Sequence, residues 1–283
     1  MQVRLVVFGL GYCGAAAAAA ATADGLASSG ITRCTDAPTT RAALAHATHV
    51  LSTVPPTDTA DGAGAYDPVL SRYATDLTLA PMLRWVGYLS TTGVYGDRGG
   101  DWVDETTTPT PESPRSARRL SAEAEWSRMA YRCAVELFRL GGIYGPGRSV
   151  FDALRAGRAR RIIKPGHAFG RIHRDDIVQA VLAAIHQRRA RGVRILHLVD
   201  DEPAESAAVI EEAARLLGIT PPPALQYAAA STTMTPMERS FWAENRKVSS
   251  RATRAALGIA WQHPSYREGL SAILAEERAQ GLA

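Results

Sequence analysis

The chain has 283 residues, 46% of them hydrophobic and 21% charged. That is long enough to bury a full core and excludes disordered, collagen-like and coiled-coil classes. The 32 Lys and Arg exceed the 28 Asp and Glu to give a formal charge of +4, but only Lys164 and Lys247 are lysines and the arginines are spread along the whole chain. The clusters within 155–161 and 188–194 lack the interleaved aromatics that stack on bases, so no nucleic-acid partner is expected. Cys13, Cys34 and Cys133 are odd in number and widely spaced, with no CxxC or Cys/His pairing. No metal site is implied, and a reducing, cytoplasmic setting fits.

Residues 3–8 (VRLVVF) form a β-branched apolar run of strand length. The uncharged stretch 5–23 superficially resembles a secretory leader, but the glycines at 9, 11 and 14 interrupt it. No run approaches a membrane span, so no membrane partner is expected. Gly9, Gly11 and Gly14 then separate the strand from residues 15–26, which are almost pure helix formers. Strand, GxGxxG turn and helix open a dinucleotide-binding unit. Gly9 permits the tight turn, Gly11 lets backbone approach a pyrophosphate, and Gly14 lets helix and strand pack closely. The phosphates sit at the helix N-terminus.

Further strands are expected at 49–54, 85–90, 135–140 and 194–199, with helices at 116–131, 175–187 and 205–217 between them. The alternation predicts an α/β fold with a doubly wound parallel Rossmann sheet, and ligands at the carboxyl ends of its strands. Between the first helix and position 49 only a strand at 31–36 and a short helix at 40–47 are available, so the second and third strands are either merged or one is missing. Residues 1–149 and 172–202 are assigned to the dinucleotide-binding domain. Residues 150–171 and 203–283 are assigned to a smaller substrate lobe, with His173 and Asp176 opening the helix that joins the two.

Four segments in order, GLGYCG (9–14), YLSTTGVYG (88–96), FRLGGIYGPG (138–147) and RIHRDDIVQAV (171–181), resemble the extended short-chain dehydrogenase/reductases of the epimerase/dehydratase branch. The segment 96–126 resembles the atypical, epimerase-like subgroup that includes bacterial YeeZ-type proteins. The resemblance implies that Thr91, five residues before the VYG glycine, holds the reacting oxygen. It also implies cofactor contacts at Gly9, Gly11, Tyr12, Cys13, Gly14, Arg33, Pro55 and Arg119. The family's acid/base tyrosine and its lysine, matched through Ala122 and Glu123, fall on Arg115 and Arg119, so the usual YxxxK pair is absent. Arginine keeps its proton above about pH 12 and cannot replace that acid. Asp67, Tyr144 or a water held by Thr91 are then the candidate proton carriers.

The cofactor is expected to be NADP ahead of NAD. Arg33 can pair with a 2′-phosphate, whereas Asp36 would repel it and accept a ribose hydroxyl; the resemblance, and the basic residue standing nearer the strand end, favour NADP. One reading is an oxidoreductase or epimerase acting on a small polar substrate; the other is a non-catalytic NAD(P)-binding redox sensor or interaction protein. The resemblance also implies a homodimer through the helices 67–79 and 116–131, with Leu120, Ala124 and Ala130 at its surface.

Overall fold

The alternation of side chains along β1 (Arg4–Phe8) decides the layering. Leu5 and Val7 point into one core and Val6 and Phe8 into another, all four nearly inaccessible. The computed structural model describes residues 2–59 and 64–281. β1 lies inside a six-stranded, wholly parallel sheet with β2 (Ala27–Ile31), β3 (His49–Ser52), β4 (Trp85–Thr91), β5 (Ala134–Leu140) and β6 (Gly192–Leu198). The spatial order is β6, β5, β4, β3, β1, β2. Strands buried on both faces read as near-continuous apolar runs, as β3, β4 and β5 do. The doubly wound parallel fold is the one the alternation predicts.

The strand expected at 31–36 is corrected to Ala27–Ile31, and one strand of the first Rossmann half is missing. β2 is the sheet edge, and the chain returns through α2 (Ala37–Ala45) to the far side of β1 as β3. The sequence ASSGI is small, polar and mostly exposed at that edge, so it lacks the apolar signature of the other strands. The direction of winding therefore reverses between β1 and β3, which opens a crevice at their carboxyl ends.

One face of the sheet is covered by α1 (Tyr12–Ala23) and, later in the chain, α6 (Arg174–His186). Ala17 and Ala21 of α1 share their buried cluster with Ala180 and Ala184 of α6, small side chains that let the two helices approach closely. The other face carries α2, α3 (Pro68–Leu79) and α4 (Pro114–Ser127), with Tyr73, Leu77 and Trp126 filling the core.

Beyond β5 the chain builds smaller units. Strand Gly142–Tyr144 pairs in parallel with Arg171–His173. α5 (Val150–Arg155), α7 (Ser206–Leu217) and, at the end of the chain, helix Tyr266–Ala279 share an apolar cluster of Phe151, Ile210, Ala213, Leu270 and Ile273. α8 (Pro236–Ala243) contributes Trp242 to a second cluster with Ile162, Ala230 and Met234. α9 (Arg251–Leu257) packs on the edge of the first sheet face, and the terminal helix is α10. Among the described residues no helix is long and apolar enough to cross a membrane.

Candidate active site

The site starts where β1 ends. Gly9 has φ +86°, a left-handed conformation that favours glycine. Its amide donates to Ile31 O at 2.9 Å, and Thr53 Oγ1, just past β3, donates to Gly9 O at 2.7 Å. These two bonds fix the turn between the neighbouring strand ends. A Cβ on Gly14 would lie 1.9 Å from Gly9 O, so α1 can approach the strand only without one. Gly11 caps α1 with extended backbone, no side-chain cap and no acidic residue in the first turn, and nothing lies within 4 Å of where its Cβ would be. The helix thus offers uncapped amides and its positive dipole end to an open space, which fits a pyrophosphate.

Cys13 is buried in the sheet core, and burial pushes its thiol pKa up, so only its backbone faces the cradle. Tyr12 is half-buried and donates its hydroxyl to Pro146 O at 3.0 Å. The guanidinium carbons of Arg148 and Arg174 lie 5.6 and 5.3 Å from its ring centre, a pair of cations beside the cradle that the sequence reading missed. The only sequence signal was an arginine directly after the Gly-Pro-Gly turn at 145–147.

Arg33 is exposed, two residues past the end of β2. Asp36, its expected rival, is engaged as the N-cap of α2, accepting from Thr39 N at 2.7 Å and Thr39 Oγ1 at 3.0 Å. Those bonds hold its carboxyl below the usual range. Pro55 is exposed three residues past β3.

Thr91 ends β4, half-buried, and its Oγ1 accepts from Gly93 N at 3.1 Å to open the turn Thr92–Tyr95. Its own proton remains available to donate. A Cβ built on Gly93 would lie 3.3 Å from Thr91 Oγ1 and 2.8 Å from Ser116 Oγ. The first turn of α4 therefore sits directly over the turn that Thr91 opens. Ser116, buried and accepting from Ser113 Oγ at 2.9 Å, was not foreseen, because it stands one residue after the position where the family's tyrosine was sought. Arg119 donates from Nη1 to Tyr88 Oη and to Leu89 O, both at 3.0 Å, which ties α4 to β4. Arg115 is exposed, with its guanidinium over the Phe241 ring.

Beneath Thr91 lies a fully buried polar network. Arg139 pairs with Glu123 at 2.7 Å and donates to Tyr95 Oη at 2.7 Å, while Ser90 Oγ donates to Glu123 Oε1 at 2.5 Å. Tyr95 Oη also meets His197 Nε2 at 2.5 Å, and its pKa is pushed up to about 12, chiefly by burial. Removing one partner of such a buried pair costs about 3–5 kcal/mol, so the network holds the floor of the site rigid.

The other two expected proton carriers sit in structural roles. Asp67 is wholly buried as the N-cap of α3: Oδ1 accepts from Val69 N at 2.9 Å and Leu70 N at 3.0 Å, and Oδ2 from Trp126 Nε1 at 2.9 Å. Tyr144 donates to Ser265 O at 3.3 Å, and its ring meets His173 edge-on. Burial, followed by the charges of Asp200 and Asp176, pushes its pKa far up. Neither is hydrogen-bonded to Thr91. Asp200, past β6 and 2% exposed, has neither carboxylate oxygen partnered, and burial pushes its pKa up to about 8.

Among the described residues one group has metal-ligand composition: His173, Asp176 and His263, with donor atoms within 4.8 Å of one another. The two imidazole centroids lie 3.8 Å apart with their planes tilted by 39°. Asp176 already accepts from Gln262 N at 2.6 Å, His263 N at 3.1 Å and His263 Nδ1 at 3.1 Å. His173 accepts from Asp175 N as the cap of α6. The cluster ties the start of α6 to the segment leading into α10.

No family model matches the chain. A 3-diazoavenalumate denitrifying reductase from a Streptomyces species is 33% identical over 165 residues, 56% of this chain and 53% of the reductase. Protein YeeZ of Escherichia coli K12 is 29% identical over 150 residues, 52% of this chain and 51% of YeeZ. The chain spans about half the length of the curated relatives it matches. A solved conserved protein of unknown function from Silicibacter pomeroyi DSS is 39% identical, with 96% of this chain and 98% of that one covered at a TM-score of 0.86. The chain belongs to that protein's family. The chain shares its fold with solved epimerase-type structures. A human epimerase family protein, SDR39U1, solved with NADPH, superposes at a TM-score of 0.75 over 96% of this chain and 99% of its own, at 19% identity.

Proposed function

We propose that the protein is an NAD(P)-dependent oxidoreductase of the short-chain dehydrogenase class, with NADP preferred. The observation that carries this reading is the placement, at the carboxyl ends of strands in one parallel sheet, of an uncapped helix N-terminus over open space at Gly11 and of the undonated hydroxyl of Thr91. A bound dinucleotide supplies a hydride at its nicotinamide. The chain's own residues do the rest. The amides from Gly11 to Gly14 and the nearby Arg148 and Arg174 hold phosphate, Arg33 reads the ribose end, and Thr91 donates to a substrate oxygen. Asp67, sealed as a helix cap, and Tyr144, committed to Ser265, serve packing, and the proton is left to solvent. The similarity to a reductase favours hydride transfer over epimerisation.

In this reading residues 150–171 and 203–283 act as the substrate lobe over a domain of 1–149 and 172–202. The exposed faces of α3 and α4 pair two chains into a homodimer. The free thiols of Cys13, Cys34 and Cys133 suit the cytoplasm.

A titration comparing NADPH with NADH tests the reading. The native chain is expected to bind NADPH more tightly, and Arg33→Ala to weaken NADPH by about tenfold while leaving NADH unchanged. Tighter binding of NADH, with Arg33→Ala silent, overturns the NADP assignment. The non-catalytic sensor is favoured by one observation, the arginines in place of the YxxxK pair. It predicts dinucleotide binding with no turnover of any carbonyl or conjugated acceptor.

A further inference from the structure

Three arginines stand in the first turns of α4, and their surroundings separate them. Arg118 pairs with Asp58 at 2.6 Å, and Arg119 is tied to Tyr88 and Leu89. Arg115 is exposed and makes no hydrogen bond or ion pair among the described residues. Its guanidinium carbon lies 5.3 Å from the ring centre of Phe241, which is 51% exposed and comes from α8. Ser116, the next residue, lies against Gly93 beside Thr91. The first turn of α4 thus carries an unpaired guanidinium, with the exposed Phe241 ring beside it, next to the buried residue that abuts the turn opened by Thr91. None of these side chains releases a proton at neutral pH.

That combination suits one kind of acceptor. Hydride addition to a simple ketone leaves an alkoxide, a base comparable to hydroxide, which needs a proton in the transition state. Hydride addition to a quinone leaves a phenolate, whose parent acid has a pKa of about 10, and a fixed cation can hold it without protonating it. A planar conjugated ring also stacks on an aromatic or guanidinium face.

Resting on the oxidoreductase reading above, we infer that Arg115 binds the developing oxyanion and that the substrates are planar conjugated acceptors of the quinone class. The C–H bond at the nicotinamide of NAD(P)H breaks with its electron pair, and the hydride bonds to one carbonyl oxygen of the quinone. The ring becomes aromatic, and the negative charge moves to the second oxygen, opposite Arg115. The dinucleotide leaves oxidised, and the hydroquinone monoanion takes its proton from water after release.

The test uses the full chain with NADPH and, as alternative acceptors, menadione and cyclohexanone. Menadione is expected to be reduced and cyclohexanone not, with kcat flat from mildly acid to mildly alkaline pH because no acid group must be protonated. Arg115→Ala is expected to lower kcat for menadione by about 10²-fold with NADPH affinity unchanged, and Arg115→Lys to recover part of the loss. The exposure of Arg115 keeps both variants folded. Turnover of cyclohexanone at a comparable rate, an unchanged kcat in Arg115→Ala, or no reduction of menadione by protein that binds NADPH overturns the inference. Failure to bind NADPH overturns the oxidoreductase reading instead.

Discussion

Thr91 uses one acceptor position on Gly93 N and keeps its proton, so its value to the site lies in donating. Thr91→Val removes the hydroxyl and keeps the β-branched shape. It is expected to lower kcat by about 10²-fold at unchanged melting temperature, measured on the native chain's best acceptor. An unchanged kcat removes Thr91 from the chemistry. Asp200 behaves differently, because its burial sets a pH dependence of stability. Its folded pKa of about 8 lies above the unfolded value of about 3.9, so the folded state alone keeps the proton between them. The stabilising contribution is therefore complete below the unfolded value and is lost as pH rises through about 8. Thermal unfolding across this range is expected to show the native chain falling relative to Asp200→Asn, which cannot ionise. Parallel curves for the two proteins contradict the assignment.

At the scale of elements, the glycine turn and the helices were readable because their patterns are local. The strand–GxGxxG–helix order at 3–26 needs only neighbouring residues to specify it, and α1 begins three residues earlier than expected because Gly11 caps it. β2 was misplaced because an exposed edge strand needs no apolar alternation, and ASSGI carries none. The site's inner wiring was less legible. Thr91, Arg115 and Arg119 could be found by motif, but Ser116 against Gly93 depends on how α4 meets β4. The roles of Asp67 and Tyr144 were hidden for the same reason, since the partners that occupy them, Trp126 and Ser265, are 59 and 121 residues away. Gly14→Ala checks the local part. Its Cβ meets a backbone oxygen that cannot yield, so a loss of about 3 kcal/mol is expected in denaturant unfolding, and a loss under about 0.5 kcal/mol contradicts this packing.

For the whole molecule, the parallel sheet was legible in sequence because its inner strands are buried on both faces, whereas the C-terminal elements have no periodic signature of comparable length. Of the residues expected at a dimer surface only Ala124 is exposed, since Leu120 and Ala130 pack against buried clusters of their own chain; Ser71, Ala74, Ala117 and Ser121 are the other small exposed side chains of α3 and α4 on which the proposed pairing rests. Light scattering is expected to give a dimer for the native chain and a monomer for Ala124→Glu. A monomeric native chain removes the proposed pairing. Calorimetric titration of NADPH into the native chain and into Gly11→Ala shows whether the N-terminus of α1 holds a dinucleotide. Gly11 has an ordinary negative φ and open space around its Cβ position, so the added methyl leaves the fold intact and obstructs only an incoming phosphate. Saturable binding at one site is expected in the native chain, and its loss in the folded variant; no binding to the native chain, or equal affinity in both, contradicts a dinucleotide at this helix end.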